Sequence, residues 1–363
     1  MKKKLSVAPT LKNYDKKNLP KDILAGIIIM AVSIPISMGY AQISGLPAVY
    51  GLYGSVFPII LFALFSTSPQ FIFGVDAAPA ALVGAAVLGM GIEAGSKEAM
   101  TVVPVFTFFV ALWLLAFYFM NAGKLVNYIS APVMGGFITG ICTTIILMQV
   151  PKLMGSAAGT GELFELSEHI WEALHHINAA ALVMGIVALA ILVVSKRLVP
   201  KFPMAVVLMV TGALFTYFGP VKEWGVPTLS AVEPGMPRWY IPDFEAVFSV
   251  QKASEVIVLS LSVAVVIMAE TLLAENNFAQ KNGYRIDDNT ELLAFSIGNM
   301  AAAFTGCCPI NGSVSRTAMS EQYEGKTQLT GLVAGVSMIA VLLFCTGFIA
   351  VSYTHLRAHE TGR

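Results

Sequence analysis

The chain has 363 residues, of which 56% are hydrophobic and 12% charged, with a mean hydropathy of +0.74. A soluble domain carries about twice that share of charge, so composition excludes an ordinary soluble fold. The 22 basic and 22 acidic residues cancel, so nothing in the net charge calls for a nucleic-acid partner.

Residues 1–22 are polar and basic, with Lys2, Lys3, Lys4, Lys12, Lys16, Lys17 and Lys21 against Asp15 and Asp22. The positive-inside rule places this end in the cytoplasm. No cleavable signal peptide is expected, because the first apolar run starts near Ile23 and continues too far. Apolar runs then follow at roughly 23–45, 50–67, 77–92, 101–121, 130–150, 178–195, 203–219, 254–275, 291–305, 313–321 and 328–352. They predict about eleven spans of an all-α polytopic membrane protein, each near or below the ~20 residues a bilayer needs. Loops assigned to the cytoplasm carry Lys124, then Lys196, Arg197 and Lys201, then Lys281 and Arg285. Loops assigned outside are acid-rich, with Glu162, Glu165, Glu168 and Glu172, then Glu223, Glu233, Asp243 and Glu245. Pro35 is expected to kink the first span, and Gly135, Gly136 and Gly140 to give the fifth a close-packing face. Cys142, Cys307, Cys308 and Cys345 lie in or beside apolar runs without metal-ligand spacing and are expected to be buried, reduced thiols. His175 and His176 read as solvated surface.

Two stretches are too polar and too broken to be plain spans. One is Phe73-Gly74-Val75-Asp76-Ala77-Ala78-Pro79-Ala80; the other runs from Cys307 to Met319. In each, a helix is expected to start beside a breaker or a capping residue: Asp76 in the first, Asn311 or Ser313 in the second. A helix start inside a membrane protein aims free N–H groups and a partial positive charge at the interior, which suits an anion. Interrupted segments in corresponding halves of a chain point to a transporter site.

Several stretches resemble the SulP (sulfate permease) family of anion transporters. They are Asp22 to Gly26 with Ile34 to Ala41, Gly45-Leu46-Pro47 and Gly51-Leu52-Tyr53; Ile129 to Val133 with Gly136, Phe137, Gly140 and Gln149; and Glu291 to Ala294, Gly298-Asn299, Gly306, Pro309, Asn311-Gly312-Ser313 and Ser315 to Ala318. The resemblance implies fourteen spans in two inverted seven-span repeats, followed by a cytoplasmic STAS domain. It implies half-helices at the third and tenth spans, facing each other across the anion. Spans 1–4 and 8–11 would form a moving core (23–121 and 254–352) and the others a gate, here partial at 130–219. The chain would then hold about eleven of the fourteen spans, truncated at its C-terminus and without the STAS domain; the complete protein would be a homodimer. The tail 353–363 reads as non-native, and His355, His359 and Glu360 in it are not expected to bind metal.

Asp76, Ala77, Asn311, Gly312, Ser313, Ser315, Arg316 and Tyr40 are the expected anion-binding residues, with Asp76 and Glu270 as coupling acids. Asp76 reads either as a cap or as a carboxylate that brings a proton with the anion. Glu270 reads as an intramembrane coupling acid, for which the alternative is an ion pair with Arg316. Glu275 reads as solvated. Arg316 would attract the anion, unless its charge serves only to neutralise Asp76 or Glu270. Ser37 follows the proline of the first span, and Tyr40 would line the pocket one turn on. No cofactor is expected beyond a coupling H+ or Na+. The expected partners are a small inorganic anion of the sulfate or bicarbonate class and the lipid bilayer, in a multi-pass protein of a bacterial inner membrane. An uncoupled exchanger or channel is the alternative. Arg316 argues against a nucleobase permease, and no nucleotide-binding or hydrolase motif supports a pump or membrane enzyme.

Overall fold

A computed structural model describes residues 7–345, apart from 13, 129–130, 157–162, 200–201, 203, 222, 227–234 and 250–251. The expected tail 353–363, with His355, His359 and Glu360, lies outside the described residues, as do the side chains of Cys142 and Cys345.

Fourteen α-helices are described: α1 (Leu19–Ile43), α2 (Val49–Tyr53), α3 (Phe57–Phe65), α4 (Ala77–Gly89), α5 (Lys97–Phe119), α6 (Ala131–Leu153), α7 (Leu163–His175), α8 (Ala179–Leu198), α9 (Met204–Phe218), α10 (Phe244–Ser249), α11 (Ala253–Asn282), α12 (Asp288–Phe304), α13 (Val314–Gln322) and α14 (Leu329–Ala340). Two strands of two residues each, β1 (Phe73–Gly74) and β2 (Asn311–Gly312), correct the all-α expectation. Four helical stretches are long and apolar enough to cross a membrane: Lys16–Ile43, Lys97–Phe119, Ala179–Leu198 and Ala253–Asn282. The helix boundaries follow local chemistry. Ser96 caps α5 and Asp287 caps α12 with their side-chain oxygens, and Gly283 ends α11 with φ of 72°. The apolar run at 50–67 is broken into α2 and α3 between Tyr53 and Phe57, and Pro58 sits in the first turn of α3. Pro35 stays inside a continuous α1.

The chain divides into two compact units. The first, residues 1–136 and 236–340, interleaves the two halves of the sequence. In it α5 packs on α11 and α12, α1 on α14, and α3 on both α12 and α14. With no water to expel inside a bilayer, such packing rests on close van der Waals fit and on small residues. A Cβ on Gly26 would lie 2.7 Å from the Val333 side chain, and one on Gly51 would lie 1.9 Å from the Ser37 carbonyl. Phe62, Phe73 and Phe295 stack between α3, β1 and α12, with centroids 4.5 and 5.3 Å apart for Phe62–Phe73 and Phe73–Phe295. The second unit, residues 137–235 and 341–363, pairs α8 with α9.

Several expectations fail here. The acid-rich stretch read as a loop contains a helix, α7, which buries Leu166 and Ala173 while Phe164 and Trp171 stay exposed. The run at 254–275 extends to Asn282. Glu275, expected in solvent, is fully buried, because α11 continues through it and packs its face inward. The Gly135, Gly136 and Gly140 face is open: a Cβ built on any of them meets no described atom within 4 Å.

Candidate functional site

The two broken stretches meet. β1 and β2 pair antiparallel, Phe73 with Gly312 and Gly74 with Asn311. Each strand runs into a helix, β1 through Val75 and Asp76 into α4, β2 through Ser313 into α13. Pairing the strands therefore sets two helix starts side by side. The first N–H groups of each helix have no partner in the preceding turn, so both starts carry partial positive charge.

Asp76 caps α4 as expected, its Oδ1 accepting from the Ala77 N–H at 2.7 Å. Ser313 occupies the equivalent place before α13, yet its side chain makes no capping bond; its hydroxyl sits 3.3 Å from that of Ser315. Asn311 does not cap either. Its amide nitrogen donates to Glu270 at 2.7 Å, and its oxygen accepts from the Thr271 hydroxyl. Thr271 in turn accepts from the Gly312 N–H at 3.1 Å. The approach is close because Gly312 has no side chain: a Cβ there would lie 2.3 Å from the Phe71 ring.

The loop before β2 is held from two other helices. The Asn299 side chain of α12 donates to the carbonyls of Phe295 and Ile310 and accepts from the Ile310 N–H at 2.9 Å. The Thr107 hydroxyl of α5 donates to the Cys307 carbonyl at 2.9 Å. Across the strand pair, the Ser313 N–H donates to the Ile72 carbonyl and the Ile72 N–H to the Thr317 hydroxyl.

Arg316 crosses from α13 to the other strand. It is 1% exposed. Its Nη2 donates to the Val75 carbonyl at 2.7 Å and lies 3.7 Å from Asp76 Oδ2. Its Nη1 is 3.4 Å from the Ser33 hydroxyl of α1, and its Nε has no hydrogen-bond partner. Gly74 leaves room for the guanidinium, since a Cβ there would lie 2.9 Å from Nη1. The ion pair with Arg316 that was the alternative reading of Glu270 does not form; the arginine takes Asp76, and Glu270 takes Asn311.

Asp76, Ala77, Asn311, Gly312, Ser313, Ser315 and Arg316 are thus brought together, with Glu270 at their edge. Tyr40 is part-buried and an electrostatic neighbour of Arg316. Ser37 is turned away, fully buried and bonded to Ser55 at 2.8 Å. Ser33, Thr271 and Asn299 were not among the expected site residues. Asn299 was marked only as part of the Gly298-Asn299 resemblance, Thr271 is adjacent to Glu270, and Ser33 lies one turn before Ser37.

The chain matches the sulfate permease family over residues 19–353. It is 27% identical over 340 residues to a probable sulfate transporter of Mycobacterium tuberculosis, covering 94% of this chain and 60% of that protein. Its fold matches the structure of SLC26A9 with a TM-score of 0.82 at 22% identity, covering 96% of this chain and 59% of that one. It also matches the transmembrane domain of a cyanobacterium bicarbonate transporter, BicA, with a TM-score of 0.78 at 18% identity, covering 94% and 89%. A family match of that extent makes the chain a member of the sulfate permease family. The chain spans between 50% and 60% of the lengths of the first curated relatives it matches.

Proposed function

We propose that this member of the sulfate permease family carries a small inorganic anion, of the sulfate or bicarbonate class, bound between the starts of α4 and α13. One observation carries the reading: a buried arginine lies between two paired helix starts with its Nε–H unpartnered. Helix-start N–H groups, the Ser313 and Ser315 hydroxyls and that Nε are all donors suited to oxyanion oxygens.

The charges also support coupling. Arg316 faces Asp76 at 3.7 Å, and Glu270 reaches the same loop through Asn311. One guanidinium against two carboxylates leaves a negative balance that repels an arriving anion. A proton or sodium ion taken up with the anion, at Asp76 or Glu270, removes the repulsion. In this reading the unit containing both helix starts moves as an elevator core against a gate, in an inverted-repeat fold. The protein sits in the cell membrane with its N-terminus inside and works as a homodimer.

The test is uptake of labelled sulfate and bicarbonate into proteoliposomes, with and without inward proton and sodium gradients. Gradient-driven accumulation that Glu270→Gln or Asp76→Asn abolishes is the expected result. Saturable uptake indifferent to both gradients and both substitutions would reject coupling and leave an exchanger or channel. No uptake of either anion would reject the substrate class.

A further inference from the structure

The Gly283 end of α11 holds a polar cluster that the anion site does not use. Glu275 is fully buried, and neither of its carboxylate oxygens has a hydrogen-bond partner. It lies one turn beyond Thr271 on the same face of α11. Ser68, in the loop that leads into β1, is also fully buried with an unpartnered hydroxyl. The Tyr284 hydroxyl makes no hydrogen bond within 3.5 Å; its side chain faces that of Ser68, and Glu275, Glu291 and Glu321 are its acidic neighbours.

The surrounding groups do not neutralise Glu275. The charged groups that act on it are two more acids, Glu291 and Asp288. Glu291 is already satisfied by donors from the α3–β1 loop: the hydroxyls of Ser66 and Thr67 and the N–H groups of Thr67 and Ser68. Asp288 accepts from Asn276 at 2.9 Å. Lys281, near this end of α11, is exposed and pairs with Glu321 at 2.6 Å. Among the described residues no lysine or arginine forms an ion pair with Glu275. A buried carboxylate left this way costs several kcal/mol, and acidic neighbours add to the cost. Buried groups without partners require an explanation, and a bound ion that supplies the missing contacts is one.

The chemistry of the open positions narrows what that is. They comprise one carboxylate and two hydroxyls, all hard oxygens, with no imidazole or thiolate. Such a set suits a hard cation and not a transition metal. A single unpaired carboxylate balances a single positive charge.

We propose that Glu275 anchors a buried sodium site completed by the Ser68 and Tyr284 hydroxyls, separate from the anion site. The Gln328 side chain fixes the loop that brings Ser68 there, donating to the Ser68 and Phe71 carbonyls at 2.8 Å each. A cation at Glu275 ties α11 to the segment leading into β1. It therefore steadies the strand pair from the end of α11 beyond Thr271. The proposal does not depend on which anion the protein carries, or on its carrying one.

The experiment is thermal unfolding of the purified full chain in detergent, titrating sodium chloride against choline chloride at constant ionic strength. The parent should show a saturable rise in Tm with sodium. Glu275→Gln should abolish it, Ser68→Ala should raise the half-saturating sodium concentration about tenfold, and the remote Ser195→Ala should leave it unchanged. A sodium response lost in Glu270→Gln and kept in Glu275→Gln would overturn the proposal. So would a parent indifferent to sodium, including one whose Tm varies with pH only while Glu275 is present, since a proton would then occupy the site. If Glu275→Gln does not fold, Ser68→Ala and Tyr284→Phe decide: an unaltered sodium response in both overturns the site.

Discussion

The two helix starts that meet at the strand pair are built on opposite plans. α4 begins behind an acid that caps it, and its first turn is Ala77, Ala78, Pro79 and Ala80. α13 begins behind a serine that does not cap it and carries a buried arginine in its first turn. Their anchoring differs in the same way. The segment before α13 is fastened by side chains from three helices, through Thr107, Asn299, Thr271 and Glu270. The segment before α4 is held by its strand partner and by side chains that all come from α13 and the stretch just after it, Arg316, Thr317 and Gln328. The difference assigns the work. The α13 side supplies the positive charge and the fixed frame, and the α4 side supplies the carboxylate that tunes that charge.

The largest effect should come from the one residue that joins both sides. Arg316→Gln leaves Asp76 without its partner and the Val75 carbonyl without its donor. It should cost about 3 kcal/mol or more in thermal unfolding and abolish anion uptake. Arg316→Lys keeps the charge but loses the planar fork, so uptake should fall with a smaller loss of stability. Next is the frame on the α13 side. Asn299→Ala removes the donor and the acceptor that hold Ile310, an expected loss of about 2–3 kcal/mol by thermal unfolding. Gly312→Ala should cost about 2 kcal/mol, because the new methyl meets the Phe71 ring and the Thr271 side chain. On the α4 side, Asp76→Asn retains a good capping oxygen and loses only charge. Stability should fall by about 1 kcal/mol, while any dependence of uptake on the proton gradient changes more. Ser313→Ala sharpens the contrast from below. With no cap to lose, it should shift stability by less than about 0.5 kcal/mol. An Asp76→Asn loss larger than that of Asn299→Ala would invert the comparison.

The sequence showed where the helices lie and which two stretches break them, since long apolar runs and the breakers Pro309, Gly312 and Gly74 act locally. It also offered the cap as one of two readings of Asp76, because an aspartate at a helix start can accept from the free N–H groups. The strand pair was not legible. Two residues each, Phe73–Gly74 and Asn311–Gly312, are too short for any periodicity, and they pair across more than 200 positions. The partner of Arg316 was equally hidden. Asp76 and Glu270 were both plausible from charge alone, and only the pairing register puts Val75 and Asp76 beside the guanidinium. Glu275 was misread because a carboxylate near a helix end reads as solvated. What buries it is the packing of the loop at Ser66 to Ser68 and of α12, which no local pattern announces.

The most direct measurement is equilibrium binding of labelled sulfate and bicarbonate to the purified protein, comparing the parent, Arg316→Gln and, as a remote control, Ser195→Ala. The account predicts saturable binding of at least one anion by the parent and the control, weakened about tenfold or more by Arg316→Gln in protein that remains folded. Binding of the same strength in folded Arg316→Gln would contradict it and remove the anion from between the two helix starts.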